Sequence, residues 1–259
     1  MDIKFYKYHG TGNDFILVDN RKNSYSLNSN QIKRLCDRNF GIGADGLILL
    51  RNDKDYDFFM EYYNSDGHES SMCGNGGRCI VQFAKDLKII SKEAEFGAID
   101  GIHTAFIMDN GFVNLKMIDV KNIEIGDNFY YLDTGSPHYV AFRDNIKSIN
   151  VLNVAREIRY NSRFNDEGTN VNFVEIIKDT IFVRTYERGV ENETLSCGTG
   201  AVASAICVQI KMNVDSNKLE INTLGGLLKV EFKKNPNNEF NNIWLSGEAK
   251  FVFKGNIRV

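Results

Sequence analysis

The 259-residue chain has only two prolines against 22 glycines, so its turns fall to glycine and the stretches between them suit strands. No apolar run approaches the roughly 20 residues of a membrane-spanning helix. No Lys/Arg block exists beyond pairs such as Lys233-Lys234, and the net charge is −3. Both features argue against membrane and nucleic acid as partners. The opening "MDIKFYKYHG" alternates like a strand and has no apolar secretory segment, so the expected compartment is the cytoplasm, with reduced thiols. Five cysteines (36, 73, 79, 197 and 207) are odd in number and irregular in spacing. They form neither a disulfide framework nor a CxxC or Cys/His zinc motif. No glycine-rich segment ends in GK[ST], which excludes a Walker-type phosphate loop.

What the chain does have is a copy of itself. "TGNDFILVDN" from Thr11 and "TGSPHYVAFRDN" from Thr134 each set a Thr-Gly turn before an apolar run ending in Asp-Asn. "MCGNGGRC" around Cys73 and "SCGTGAVA" around Cys197 recur at nearly the same offset, each with a glutamate (Glu69, Glu193) four residues before the cysteine. Helix-like segments lie at 30–40 and 152–164. Strands rich in aromatic and β-branched residues at 57–64 and 180–188 precede each cysteine. After Cys73, residues Ile80, Phe83, Ala84 and Leu87 form one apolar helix face, and 201–210 is apolar nearly all round, as a core helix would be. Hairpin-like pairs follow, turning at 109–111 and at Gly225-Gly226.

The expected fold is therefore α+β: two pseudo-symmetric domains of one topology, each a mainly antiparallel β-sheet wrapped around a central helix. A repeat of about 120 residues is a duplicated domain, not a solenoid unit. The halves are drawn at 1–118 and 119–249, with the surplus strand 250–259 returning to complete the first.

A cysteine at a helix N-cap meets unpaired backbone N–H groups and the positive end of the helix dipole, both of which favour thiolate. Glycines after it let a ligand approach those N–H groups, which also suit a carboxylate. A pseudo-twofold would bring the two cysteines face to face across the interdomain cleft. One thiolate could then remove an α-proton while the opposite thiol delivers another, inverting the centre. Repulsion between two thiolates favours one protonated and one ionised sulfur. A redox dithiol is the competing use of the same pair. Cys36, Cys79 and Cys207 are read as packing thiols.

"YHGTGNDFILVDN", "GIGADGLILL", "YNSDGHESSMCGNGGRC", "EGTNVNF" and "YERGVENETLSCGTGA" resemble the diaminopimelate epimerase family along nearly the whole chain. CGxG alone is shared with proline and hydroxyproline racemases, which leaves a racemase of the same fold with a proline-like substrate as the alternative. The resemblance implies a PLP-independent, metal-free isomerase without cofactor, interconverting LL- and meso-diaminopimelate for lysine and peptidoglycan precursor synthesis. It assigns Cys73 and Cys197 as the acid/base pair, and Gly74, Asn75, Gly198 and Thr199 to the reacting carboxylate. Asn13, Asn64, Asn170, Glu187 and Arg188 would recognise the distal amino-acid end, where an Arg fork suits carboxylate and Glu or amide oxygens suit ammonium. His138 and Glu187 would adjust the thiol pKa values, and Phe253 falls where the family forms a homodimer. His9 is read as ordering the first loop. Two positions depart from the family's habit: Ser136 replaces an Asn, and Gly46 replaces a Gln.

Overall fold

A computed structural model describes residues 1–213 and 216–259. The chain divides into two compact units, Met1–Leu115 with Gly247–Val259, and Lys116–Ser246.

The first unit runs β1 (Asp2–Gly10), β2 (Asn13–Asp19), α1 (Ser29–Cys36), β3 (Gly46–Arg51), β4 (Phe58–Asn64), α2 (Gly74–Asp86), β5 (Glu93–Ala98), β6 (Gly101–Ile107) and β7 (from Val113). The second runs β8 (Ile123–Ile125), β9 (Tyr130–Asp133), β10 (Pro137–Phe142), α3 (Val151–Arg159), β11 (Asn170–Ile177), β12 (Thr180–Glu187), β13 (Asn192–Thr194), α4 (Gly198–Met212), β14 (Lys218–Thr223), β15 (Gly226–Lys234) and β16 (Phe240–Gly247). The chain ends in β17 (Lys250–Arg258).

Pairing follows one plan twice. β1–β2 and β9–β10 are antiparallel, β2–β3 and β10–β11 parallel, β3–β4 and β11–β12 antiparallel, and β4–β5 and β12–β14 parallel. β8 pairs antiparallel with β9, and β17 takes the matching place on β1, with Asp2 opposite Arg258. The surplus strand thus does for the first unit what β8 does for the second, from the far end of the chain.

In each unit the strands pack against two helices. In the first unit Ile16, Val18, Leu47 and Leu49 pack with Ile32 and Leu35 of α1. Strand alternation sends Phe15 and Ile48 the other way, to the start of α2, where they lie under Gly76. In the second unit Val171, Phe173 and Tyr186 pack with Val151 and Ala155 of α3. The intervening residues of those strands face α4, which is buried on nearly every side from Gly198 to Gln209.

The two lateral helices are shorter than their hydrophobic pattern suggests. α1 begins in a capping box between Asn28 and Gln31 and stops at Cys36, because the Asp37 carboxylate accepts the Asn39 and Phe40 N–H groups. α3 stops at Arg159, and Asn161 takes the Arg163 and Phe164 N–H groups in the same way. In each case a short polar side chain offers the backbone a turn in place of another helical bond. The second hairpin also turns one residue early, at Leu224-Gly225, since Thr223 already faces Gly226.

Candidate active site

Cys73 and Cys197 are the N-cap residues of α2 and α4, both in extended backbone conformation. Their carbonyls accept the first helical bonds, from Gly77 N–H at 2.7 Å and Ala201 N–H at 2.9 Å. Gly74 and Asn75, and Gly198 and Thr199, therefore form the first turns, whose backbone N–H groups lie outside the helical ladder.

Around Cys73 the side chains form a chain of amides and charges. The sulfur lies 3.7 Å from Asn13 Oδ1, which also accepts from Asn75 Nδ2 at 3.2 Å. Asn13 Nδ2 donates to Asp45 Oδ2 at 2.6 Å. Arg38 bridges Asp45 and Asp14 at 2.7 Å each, and Lys7 sits 2.7 Å from Asp14. Burial alone would raise the Asp14 pKa, but Arg38 and Lys7 outweigh it and bring it to about 2. Arg78, fully buried, donates to Asn75 Oδ1 at 2.8 Å, Thr11 Oγ1 at 3.2 Å and the Gly74 carbonyl at 3.1 Å. A guanidinium can only donate, so it fixes the Asn75 oxygen toward itself and the NH2 toward Asn13. Asn64, exposed at the end of β4, accepts from Tyr62 Oη at 2.8 Å. A Cβ at Gly46 would lie 2.6 Å from the Tyr62 ring, so the ring occupies the space a larger residue there would need. His9 Nδ1 accepts the Gly12 N–H at 3.3 Å, within the first loop.

Around Cys197 the chemistry differs. Its sulfur accepts from Gly200 N–H at 3.4 Å and lies 3.4 Å from Thr199 Oγ1. That hydroxyl is 2.9 Å from His138 Nε2, and His138 Nδ1 is 2.9 Å from Asn172 Nδ2. Burial, reinforced by the Arg188 charge, lowers His138 to about 3, which keeps the imidazole neutral at physiological pH. Asn170 donates to Ser136 Oγ at 2.8 Å and to the Pro137 carbonyl at 3.1 Å, and accepts the Arg188 N–H at 2.9 Å. Ser136 is thus the side-chain partner of Asn170. The Arg188 guanidinium is exposed and donates to the Glu167 carbonyl at 2.8 Å, and Glu187 accepts from Thr194 Oγ1.

The first unit thus joins Cys73, Asn75 and Asn13, with Asn64 on Tyr62. The second joins Cys197, Thr199 and His138, and separately Asn170 with Arg188. Sequence reasoning missed Arg78, Asp45, Asn172 and Thr185, whose hydroxyl donates to Asn172 Oδ1 at 2.9 Å. Asn172 carried a signal, since it stands two residues after Asn170 on one strand and so shares its face. The remaining thiols are buried, and burial pushes Cys36 up to about 12 and Cys79 and Cys207 well above the ordinary range.

The duplicated α+β fold matches that of solved structures at low sequence identity. A PhzF-family phenazine biosynthesis protein from Bacillus anthracis superposes with a TM-score of 0.78 at 14% identity, covering all of both chains. A hydroxyproline epimerase from Agrobacterium vitis superposes at 0.71 and 12%, covering 99% of this chain and 92% of that one. At those identities the likeness establishes the fold. The narrower assignment comes from sequence: the profile described as diaminopimelate epimerase matches residues 5–117 and 130–252. The diaminopimelate epimerase of Flavobacterium psychrophilum is 52% identical over 257 residues, 98% of this chain and all of that protein. That of Aquifex aeolicus is 36% identical, covering 98% of each. The chain belongs to the diaminopimelate epimerase family.

Proposed function

We propose that this protein interconverts LL- and meso-2,6-diaminopimelate by two-base proton transfer between cysteine sulfurs and the α-carbon. The observation that carries the proposal is the duplicated N-cap cysteine in a chain of this family. Each sulfur stands beside a helix first turn whose backbone N–H groups suit a carboxylate. One thiolate of the pair Cys73/Cys197 removes the α-proton while the other, as thiol, delivers a proton to the opposite face. The N–H groups of Gly74, Asn75, Gly198 and Thr199 stabilise the charge that builds on the carboxylate as the carbanion forms. Asn13, Asn64, Asn170, Glu187 and Arg188 read the distal amino-acid end. His138 and Glu187 adjust the thiols.

The test is a chirality assay on LL-diaminopimelate in deuterated water, with reductant and no added cofactor. Product should carry solvent deuterium at the inverted carbon, and Cys73→Ala or Cys197→Ala alone should abolish racemisation. Turnover without deuterium incorporation would exclude the mechanism. Turnover of proline in place of diaminopimelate would move the protein to the racemase branch, where Arg188 and Glu187 have no distal end to read. Activity that rises on oxidation would instead mark a redox protein. The proposed setting is the cytoplasm, as a homodimer seated on β17, where Phe251, Val252 and Phe253 are each about half exposed. Phe253→Asp should then yield a monomer by light scattering.

A further inference from the structure

The two cysteines sit at equivalent places in a repeat, yet the layer of side chains beneath them is not equivalent. In the second unit, β10 and β11 pair with His138 opposite Asn170 and Val140 opposite Asn172, and Asn172 faces Thr185 on β12. In the first, the same registers place Phe15 opposite Gly46, Leu17 opposite Ile48, and Ile48 opposite Tyr62. His138, Asn172 and Thr185 thus replace Phe15, Ile48 and Tyr62. A Cβ built on Gly76 would touch Ile48 Cδ1 at 3.2 Å, whereas one on Gly200 would run into Asn172 Oδ1 at 2.5 Å.

The donors and acceptors in the polar layer have one consistent direction. The Tyr139 carbonyl can only accept, and the Asn172 amide atom 3.2 Å from it must be the NH2. Thr185 Oγ1 donates to Asn172 Oδ1 at 2.9 Å, agreeing with that orientation. The same NH2 faces His138 Nδ1, so Nδ1 must present its lone pair and the ring proton must sit on Nε2. An imidazolium would set N–H against N–H. Nε2–H then donates to Thr199 Oγ1, and the Thr199 hydroxyl hydrogen is left to point at the sulfur 3.4 Å away. With the Gly200 N–H, two donors address the Cys197 sulfur, and donors favour the thiolate.

We propose that Asn172 is a positioning residue: it locks His138 as the neutral Nε2–H tautomer, so that the Thr199 hydroxyl donates to the Cys197 sulfur. Histidine here acts through a relay of hydrogen bonds and not through its charge, and the first unit has no counterpart at these registers. The groups facing the ring are Asn172 and Thr199, with Arg188 the charged group acting on it. The mechanistic meaning rests on Cys197 being an acid/base group of the epimerase, but the relay itself can be read independently.

The experiment uses the full chain labelled with [15N]histidine, the His138 ring signals being identified by their loss in His138→Gln. Wild type should show a protonated Nε2 and an unprotonated Nδ1, unchanged from about pH 5.5 to 8. Asn172→Asp offers an acceptor to Nδ1 and should protonate it at neutral pH. In parallel, iodoacetamide alkylation is followed peptide by peptide against pH. Thr199→Val should raise the Cys197 midpoint by about 0.5–1 unit, the worth of one hydrogen bond. Thr199→Ser should restore it, and Cys73 should not move in either variant. A wild-type proton on Nδ1, an imidazolium at neutral pH, or an unmoved Cys197 midpoint in Thr199→Val overturns the proposal. Should Asn172→Asp fail to fold, the wild-type spectrum and the Thr199 pair decide. A protein with the stated tautomer but no epimerase activity supports the relay and refutes the function.

Discussion

Lowering the pH from 7 to 5 should destabilise the protein by about 2 kcal/mol through His138. The imidazole is inaccessible to solvent, and burial with the nearby Arg188 charge lowers its pKa to about 3. In the unfolded chain it returns to about 6.5. The folded pKa is the lower one, so between these values the unfolded state binds the extra proton. The stability that neutral burial retains is complete above about pH 6.5 and is lost as pH falls toward 3. At pH 5 the unfolded histidine lies about 1.5 units below its midpoint, which at about 1.4 kcal/mol per unit gives the stated loss. Ordinary carboxylates titrate below this window, and Asp14, at about 2, lies far outside it. Urea unfolding at pH 7 and pH 5 reads the difference directly. Wild type should lose about 2 kcal/mol with a proton uptake near one, and His138→Gln should lose less than about 0.5 kcal/mol. Equal losses in both proteins would refute the reasoning, since the folded state would then be accepting the proton at His138.

The asymmetry beneath the two helix starts predicts that Gly200→Ala costs more than Gly76→Ala. The new methyl meets a fixed amide oxygen at 2.5 Å in one case and flexible side-chain ends at 3.2–3.3 Å in the other. Overpacking of about 3 kcal/mol against about 1 kcal/mol is expected from paired denaturation curves. Lys7→Met removes a buried partner of Asp14 but leaves Arg38 in place. Stability should fall by about 2 kcal/mol, and the Asp14 carboxyl should titrate higher by NMR. Asn28→Ala breaks the capping box of α1, and a loss of about 1 kcal/mol is expected with the amide exchange of Gln31 accelerated.

The two cysteine-headed helix starts were legible because each is local. A cysteine followed by Gly and a small polar residue, then by an apolar helical stretch, defines a helix start wherever it occurs. Asn13 and His138 lie far from the cysteines in sequence and were named through the family resemblance; in the structure Asn13, Asn75, Thr199 and His138 contact the cysteine groups or one another within their own unit. Helix ends were read four or five residues long, because hydrophobic spacing continued past Asp37 and Asn161 while their side chains captured the next N–H groups.

By itself, then, the chain's order of residues determined the repeat, the alternation of the strands and the two cysteine-headed helices, since each depends on neighbours within a turn or a strand. Tertiary structure decided which residues stand beneath those helices. His138, Asn172, Thr185 and Thr199 come from four separate elements, and only strand register sets one amide against one ring nitrogen. The return of strand 250–259 to the first half was expected from the repeat, but its antiparallel pairing with β1, with Asp2 opposite Arg258, was set only in the tertiary structure. Hydrogen-bond direction, and with it the tautomer of a buried histidine, exists only once such distant donors and acceptors share one solvent-free space.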